Sequence, residues 1–219
     1  AGVGLGLFGL RDTPFVDRDR ERHRIWRELR HAQTDEETRV VVLRGPNGAG
    51  KSRLAEWIAQ RAHELGAVDV MHATHDKHSG PSSGLPAMIA RFFRAWNIGR
   101  KTLHEYLQRV LDRYFAWKDP DFEGMLDEDA RALTELIKPA QADDARVLGP
   151  RYQFASEDDR FGLIQRVIGR AAAKHTTICW LDDVQWGERT LDFVEYALEQ
   201  APETPVLYIL NHRPDDSTE

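Results

Sequence analysis

Short apolar runs occur at Arg39–Leu43 (RVVVL), Thr176–Leu181 (TTICWL) and Pro205–Leu210 (PVLYIL), and Ala67–Ala73 (AVDVMHA) looks like a further strand. Runs of this kind predict strands buried on both faces, as in a parallel sheet. Between them the apolar positions follow the helical period. Ile25, Trp26 and Leu29 make a narrow stripe within Asp17–Ala32, and Leu54, Ile58, Ala62 and Leu65 mark a helix over Lys51–Leu65 that Gly66 stops. From Leu85 to about Ile137 the pattern is helical throughout: Met88, Ile89, Phe92, Phe93 and Trp96, then Leu103, Leu107, Val110, Leu111 and Tyr114, then Leu126 to Ile137. Pro139 ends that stretch. Ser156 is placed to cap a helix from Glu157 to about Lys174, and Leu191, Phe193, Val194 and Leu198 mark another over Arg189–Gln200. His75–Pro86, rich in Ser, Gly and Pro, reads as a loop. Alternating strands and helices predict an α/β three-layer sandwich with a mostly parallel sheet and a helical insertion before the third strand.

Composition adds bounds. The 219 residues allow one sizeable domain; residues 1–12 read as a glycine-rich tail or linker and 13–219 as the domain. Without a Met at its start, the sequence reads as a cut from a longer chain. A net charge of −6 gives no general attraction to nucleic acid or an anionic membrane, and the arginines of Asp17–Ala32 are interleaved with acids. The lone Cys179 excludes an intrachain disulfide and fits a reducing, cytoplasmic compartment, where it is expected to be an inert core thiol. No apolar run reaches the roughly 18–20 residues of a membrane helix.

The strongest chemical signal follows the first strand. Gly45-Pro46-Asn47-Gly48-Ala49-Gly50-Lys51-Ser52 fits G-x-x-x-x-G-K-[ST] in full and leads into a helix. Glycines let the backbone close around phosphate, and successive N–H groups at the start of a helix form an anion nest. Lys51 supplies a point charge for β- and γ-phosphates, and the Ser52 hydroxyl suits Mg²⁺. The third strand ends in Asp182-Asp183, at the sheet edge where open α/β sheets bind ligands. Asp182 is the candidate metal acid, and Asp183 the candidate that orients an attacking water. The last strand runs into Asn211-His212-Arg213; if it lies between the other two, Arg213 or Asn211 reaches the γ-phosphate. His72, His75 and His78 lack zinc-type spacing and partners, and read as a polar loop.

With these motifs placed, roughly Pro14 to Pro214 resembles the nucleotide-binding module of the STAND class of signal-transduction ATPases, relatives of the AAA+ ATPases. Phe15-Val16-Asp17-Arg18-Asp19-Arg20-Glu21 resembles the family's opening F-V-G-R-E-x-E. The phosphate loop GPNGAGKSRL, Leu181-Asp182-Asp183-Val184-Gln185-Trp186 and Leu210-Asn211-His212-Arg213-Pro214 match its other motifs. The LDD-x-QW segment is similar to ATPase modules of large bacterial regulators. The resemblance implies a P-loop NTPase fold with five strands and binding of ATP or ADP with Mg²⁺. It places Phe15 and Val16 against adenine, the loop from Gly45 through Arg53 on the nucleotide, and Arg213 as phosphate sensor. Asp17 stands where the family has Gly, and Gly187-Glu188 where Ala-Asp is common. The fifth strand, helical lid and winged helix of family members are expected to be missing after the last strand.

The function expected is a slow regulatory ATPase whose partners are the nucleotide, other domains of a longer chain and, in a nucleotide-dependent way, further copies of itself. Neither nucleic acid nor membrane is expected to contact the module directly. A phosphotransferase acting on a small acceptor, and a nucleotide-binding scaffold without turnover, remain as alternatives. No LSGGQ-like signature of a transporter ATPase is present.

Overall fold

The structure, a computed structural model, describes residues 17–78, 80, 83–115, 123–140 and 152–214. Its centre is a sheet of four parallel strands: β1 (Arg39–Arg44), β2 (Asp69–Thr74), β3 (Thr177–Asp182) and β4 (Val206–His212), in the spatial order β1-β4-β3-β2. Two helices lie on one face, α1 (Asp19–Thr34) and α2 (Lys51–Glu64). The other face carries α3 (Gly84–Phe92), α4 (Arg100–Phe115), α5 (Glu123–Ile137), α6 (Glu157–Ala172) and α7 (Glu188–Gln200). The three-layer α/β sandwich is therefore present, with α3 to α6 forming the insertion between β2 and β3. The resemblance implied five strands with the fifth expected to be missing here, and the described residues hold four.

The pleat sorts the core into two clusters. Ile178, Trp180, Leu207 and Ile209 pack with Ile25, Leu29, Leu54 and Ile58. Cys179, Leu181, Tyr208 and Leu210 pack with Phe161, Ile164, Phe193 and the α3–α5 helices. Each side chain one position along a strand points to the opposite layer, so an unbroken apolar run is what a two-sided core requires. Burial pushes the Cys179 thiol pKa far up, which keeps it a neutral core side chain.

Four expectations are corrected. The first strand is not fully buried: among the described residues β1 pairs only with β4, its residues are half-exposed or exposed, and Val42 stands 56% exposed. An apolar run reports propensity, whereas cover on both faces depends on the strand's position in the sheet. The second strand starts two residues later, at Asp69, because Ala67 and Val68 cross from α2. Phe92, Phe93 and Trp96 do not share a core face: Phe93 is buried, Phe92 half-buried and Trp96 69% exposed. The helix ends at Phe92 and Arg94 adopts a left-handed φ of 54°, which rotates Trp96 off the apolar side. The presumed loop also ends early, since α3 already starts at Gly84.

Local signals hold elsewhere. Ser156 accepts the Asp159 backbone N–H at 3.1 Å and caps α6, with Glu157, Asp158 and Asp159 in the first turn. Gly66, at φ 67°, bonds back to the His63 carbonyl and closes α2. The insertion is pinned by ion pairs: Arg100 on α4 meets Glu135 on α5 at 2.5 Å, and Asp129 on α5 takes Arg166 and Arg170 of α6 at 2.8 Å each. The Asp129 side chain is only 3% exposed, so these bonds carry its charge in a nearly dry setting.

Candidate nucleotide-binding site

Parallel strands bring their carboxyl ends to one edge of the sheet, and register decides what meets there. Leu43 of β1 lies opposite Asn211 of β4, Leu181 opposite Leu210, and Thr74 of β2 opposite Asp182. The loop leaving β1, the acids leaving β3 and the polar end of β4 therefore converge, although about 130 residues separate the first two in sequence.

The loop Gly45–Gly50 leaves β1 with the Gly45 N–H bonded to the His212 carbonyl of β4 at 3.3 Å. Gly48 and Gly50 sit at φ 76° and 78°, a region that L side chains rarely adopt; no neighbouring atom crowds either position, so backbone conformation alone calls for glycine. Gly50 is the N-cap of α2 and no side chain caps that helix, which directs its first-turn amides to the loop. The Lys51 ammonium is held at 2.9 Å by the carbonyls of Gly45 and Pro46, folded over the loop it follows. The Asn47 side chain accepts the Gly48 N–H at 3.0 Å, and Ala49 donates its N–H to the Pro46 carbonyl at 3.3 Å. Arg53 lies in the first turn of α2, with Glu56 nearby at 3.9 Å.

Ser52 donates its hydroxyl to Asp182 Oδ1 at 2.9 Å. The same oxygen accepts from the Asn211 amide at 2.8 Å, and Asn211 is fully buried with its Oδ1 unpartnered. Asp183 begins a 3₁₀ turn (Val184–Trp186) from a left-handed φ of 54°. That conformation costs an L-residue roughly 1–2 kcal/mol. The Gln185 amide donates to Asp183 Oδ1 at 2.9 Å, and its carbonyl oxygen accepts the Arg213 backbone N–H at 3.0 Å. The Arg213 guanidinium lies 5.8 Å over the Trp186 ring, whose other neighbour is Lys77 at 5.9 Å.

The structure thus brings Lys51, Ser52, Asp182, Asp183 and Asn211 to one place. Arg213 is beside them through its backbone, with its side chain on Trp186. Phe15 and Val16 lie outside the described residues. Arg18 does reach the loop, donating to the Ala49 carbonyl at 2.5 Å from a left-handed φ of 62°.

The match to known families agrees with this geometry. Residues 14–209 match the AAA ATPase domain. The chain belongs to that family. A search of the curated proteins returns no match. This AAA ATPase domain has the nucleotide-binding ATPase fold, and membership implies nucleotide binding, usually with Mg²⁺. The donor chemistry fits such an ion: Ser52 and Asp182 present hard oxygens 2.9 Å apart at the mouth of an anion nest. Among the described residues no group of three or more His, Cys, Asp or Glu converges. A Mg²⁺ ion at Ser52 and Asp182 would therefore complete its six ligands from phosphate and water. Also among the described residues, no helix is long and apolar enough to cross a membrane.

Two residues of this AAA ATPase domain were missed in the sequence. His75 is not a loose polar residue: it is 8% exposed, its Nδ1 lies 2.7 Å from the Asp182 carbonyl and its Nε2 2.8 Å from Thr190 Oγ1. Burial lowers its pKa, so the ring is held neutral, its Nδ1–H donating and its Nε2 accepting the Thr190 hydroxyl. Gly187 packs on that ring, and a Cβ there would fall 2.4 Å from His75 Cδ2. Gly187, standing where the resemblance led to an expectation of Ala, was the one signal available. Gln185 is the other; nothing in its spacing announced a bridge to Arg213. His72 turns to the opposite layer, stacked on Trp180 at 3.7 Å.

Proposed function

We propose that the chain is a regulatory nucleotide switch of the STAND type: it binds ATP or ADP with Mg²⁺, hydrolyses ATP slowly, and sets the arrangement of attached domains by which nucleotide is held. The observation that carries this reading is the meeting of Ser52, Asp182 and Asn211 at the end of a complete phosphate loop. The roles follow from position. Gly45–Gly50 and the first turn of α2, with Arg53, cradle the phosphates, and Lys51 leaves its carbonyl partners for the β- and γ-phosphates. Ser52 and Asp182 hold Mg²⁺, which supplies charge neutralisation on the phosphate oxygens. Asp183 orients the attacking water. Asn211 and Arg213 report the γ-phosphate from the end of β4. Phe15 and Val16 lie against adenine.

Slow turnover is part of this reading, and the resting position of Arg213 supports it. Transition-state charge in this chemistry is commonly met by an arginine worth about 10³–10⁵ in rate, and the Arg213 guanidinium is stacked on Trp186. Other domains of a longer chain, and further copies of this one, are the partners that would supply or withhold such a charge. Neither nucleic acid nor membrane is assigned to this module.

The test uses γ-labelled ATP with the purified protein. We expect tight Mg²⁺-nucleotide binding, phosphate released to water, and a rate well below the enzyme median of about 10 per second. Lys51→Ala should remove most of the affinity with the fold intact. Label transferred to a small acceptor would replace this reading by a phosphotransferase, rapid multiple turnover by a self-sufficient enzyme, and binding with no release at all by a scaffold.

A further inference from the structure

We propose that Gln185 is a positioning residue that ties Asp183 to the end of the sensor strand, so that Asp183 and Arg213 move as a unit. The inference rests on the role given to Asp183 above.

Both ends of one side-chain amide are engaged. Nε2 donates to Asp183 Oδ1 at 2.9 Å, and Oε1 accepts the Arg213 backbone N–H at 3.0 Å. Glutamine is the residue for this bridge on chemical grounds. It carries a donor and an acceptor at one tip, without charge, at a reach that asparagine lacks by one methylene. Glutamate would keep the acceptor for Arg213, lose the donor, and set a second negative charge against Asp183.

The bridge matters because, among the described residues, the Gln185 amide is the hydrogen-bond partner of the Asp183 carboxylate, whereas the turn's own bond from the Trp186 N–H holds only the Asp183 backbone. Asp183 leaves β3 in a left-handed conformation and opens a 3₁₀ turn of three residues. Asp182, by contrast, is fixed from two sides, by Ser52 on α2 and Asn211 on β4. The end of β4 therefore holds both acids by different routes: Asn211 takes Asp182 through its side chain, and Arg213 takes Asp183 through its backbone and Gln185. His212, the residue between them, accepts the Gly45 N–H of the phosphate loop with its carbonyl. A displacement of β4's last residues is therefore passed to the loop, to the metal acid and to the water-orienting acid together. Asp183's share of it passes through the Gln185 amide.

The experiment is single-turnover phosphate release and ATP affinity by calorimetry on Gln185→Ala, Gln185→Asn, Gln185→Glu, Asp183→Asn and the double variant Gln185→Ala/Asp183→Asn. We expect each Gln185 variant to bind ATP within about twofold of the parent and to release phosphate about tenfold more slowly, the loss of one or two hydrogen bonds at a reacting group. In the Asp183→Asn background, Gln185→Ala should cost nothing further, because the residue acts only through Asp183. Thermal unfolding of Gln185→Glu, which keeps the side chain's shape, separates a kinetic effect from a folding defect. Undiminished release by Gln185→Ala beside an impaired Asp183→Asn overturns the tie and spares the role of Asp183. Penalties that multiply in the double variant also overturn it. Full-rate hydrolysis by Asp183→Asn means instead that the role of Asp183 is wrong, and the tie falls with it.

Discussion

Gly187→Ala is the smallest change that should disturb this site from behind. Gly187 sits at φ −121° and ψ 59°, a negative φ that carries no left-handed penalty for alanine, so the methyl group is the main source of the cost. That methyl would stand 2.4, 2.8 and 2.9 Å from His75 Cδ2, Nε2 and Cγ. Those atoms belong to a buried ring held at both nitrogens, by the Asp182 carbonyl and by Thr190, so the ring has no free end to swing away. Overpacking of a tight interior costs about 1–3 kcal/mol, and breaking the bond to Thr190 adds about 0.5–1.5 kcal/mol. The expected loss is roughly 2–4 kcal/mol, or roughly 5–15 °C in Tm for a chain of this size. Equilibrium urea unfolding followed by circular dichroism measures it. His75→Ala removes the ring, and in that background Gly187→Ala should cost almost nothing, a coupling of more than about 1 kcal/mol between the two positions. The reasoning fails if Gly187→Ala leaves stability unchanged, or if it costs the same with and without the His75 ring.

Asp182→Ala should abolish the difference in ATP affinity between Mg²⁺ and EDTA, measured by calorimetry, since it removes the carboxylate that Ser52 and Asn211 share. Asp129→Ala should destabilise by about 3–5 kcal/mol in urea unfolding, because it leaves Arg170, whose pKa burial already lowers, without its carboxylate; a loss below about 1 kcal/mol would contradict a buried ion-pair role. His72, with Arg91, Asp182 and His75 as its charged and titratable neighbours, has its pKa lowered mainly by burial. The unfolded chain then binds the proton more readily, so its contribution to stability is complete above the unfolded value of about 6.5 and is lost as pH falls below it. Tm recorded from pH 7.5 to 5 should drop less steeply in His72→Phe, which keeps an aromatic ring against Trp180.

What could be read in the sequence was whatever local chemistry fixes. The phosphate loop is such a case: its glycines, Lys51 and Ser52 act within a single turn, so their order along the chain is already their order in space. The buried strands Thr177–Leu181 and Val206–Leu210, the Ser156 cap and the Gly66 stop belong with it, each settled by a few neighbouring residues. The parallel sheet itself was legible, because only strands covered on both sides need unbroken apolar runs.

Strand order was not fixed by any one segment, and it decided the rest. Placing β4 between β1 and β3 put Asn211 against Asp182 and left β1 half-exposed, though its RVVVL run is as apolar as the central strands. Trp96 followed the helical period of its neighbours until a single left-handed residue, Arg94, turned it to solvent. His75 looked like one more polar residue in a Ser- and Gly-rich loop; only the approach of α7 enclosed it and made Gly187 a necessity. Gln185 gained its second partner from Arg213, 28 residues away. A side chain's partners across the sheet are set by which strands become neighbours, and that choice is made by the packing of the whole chain.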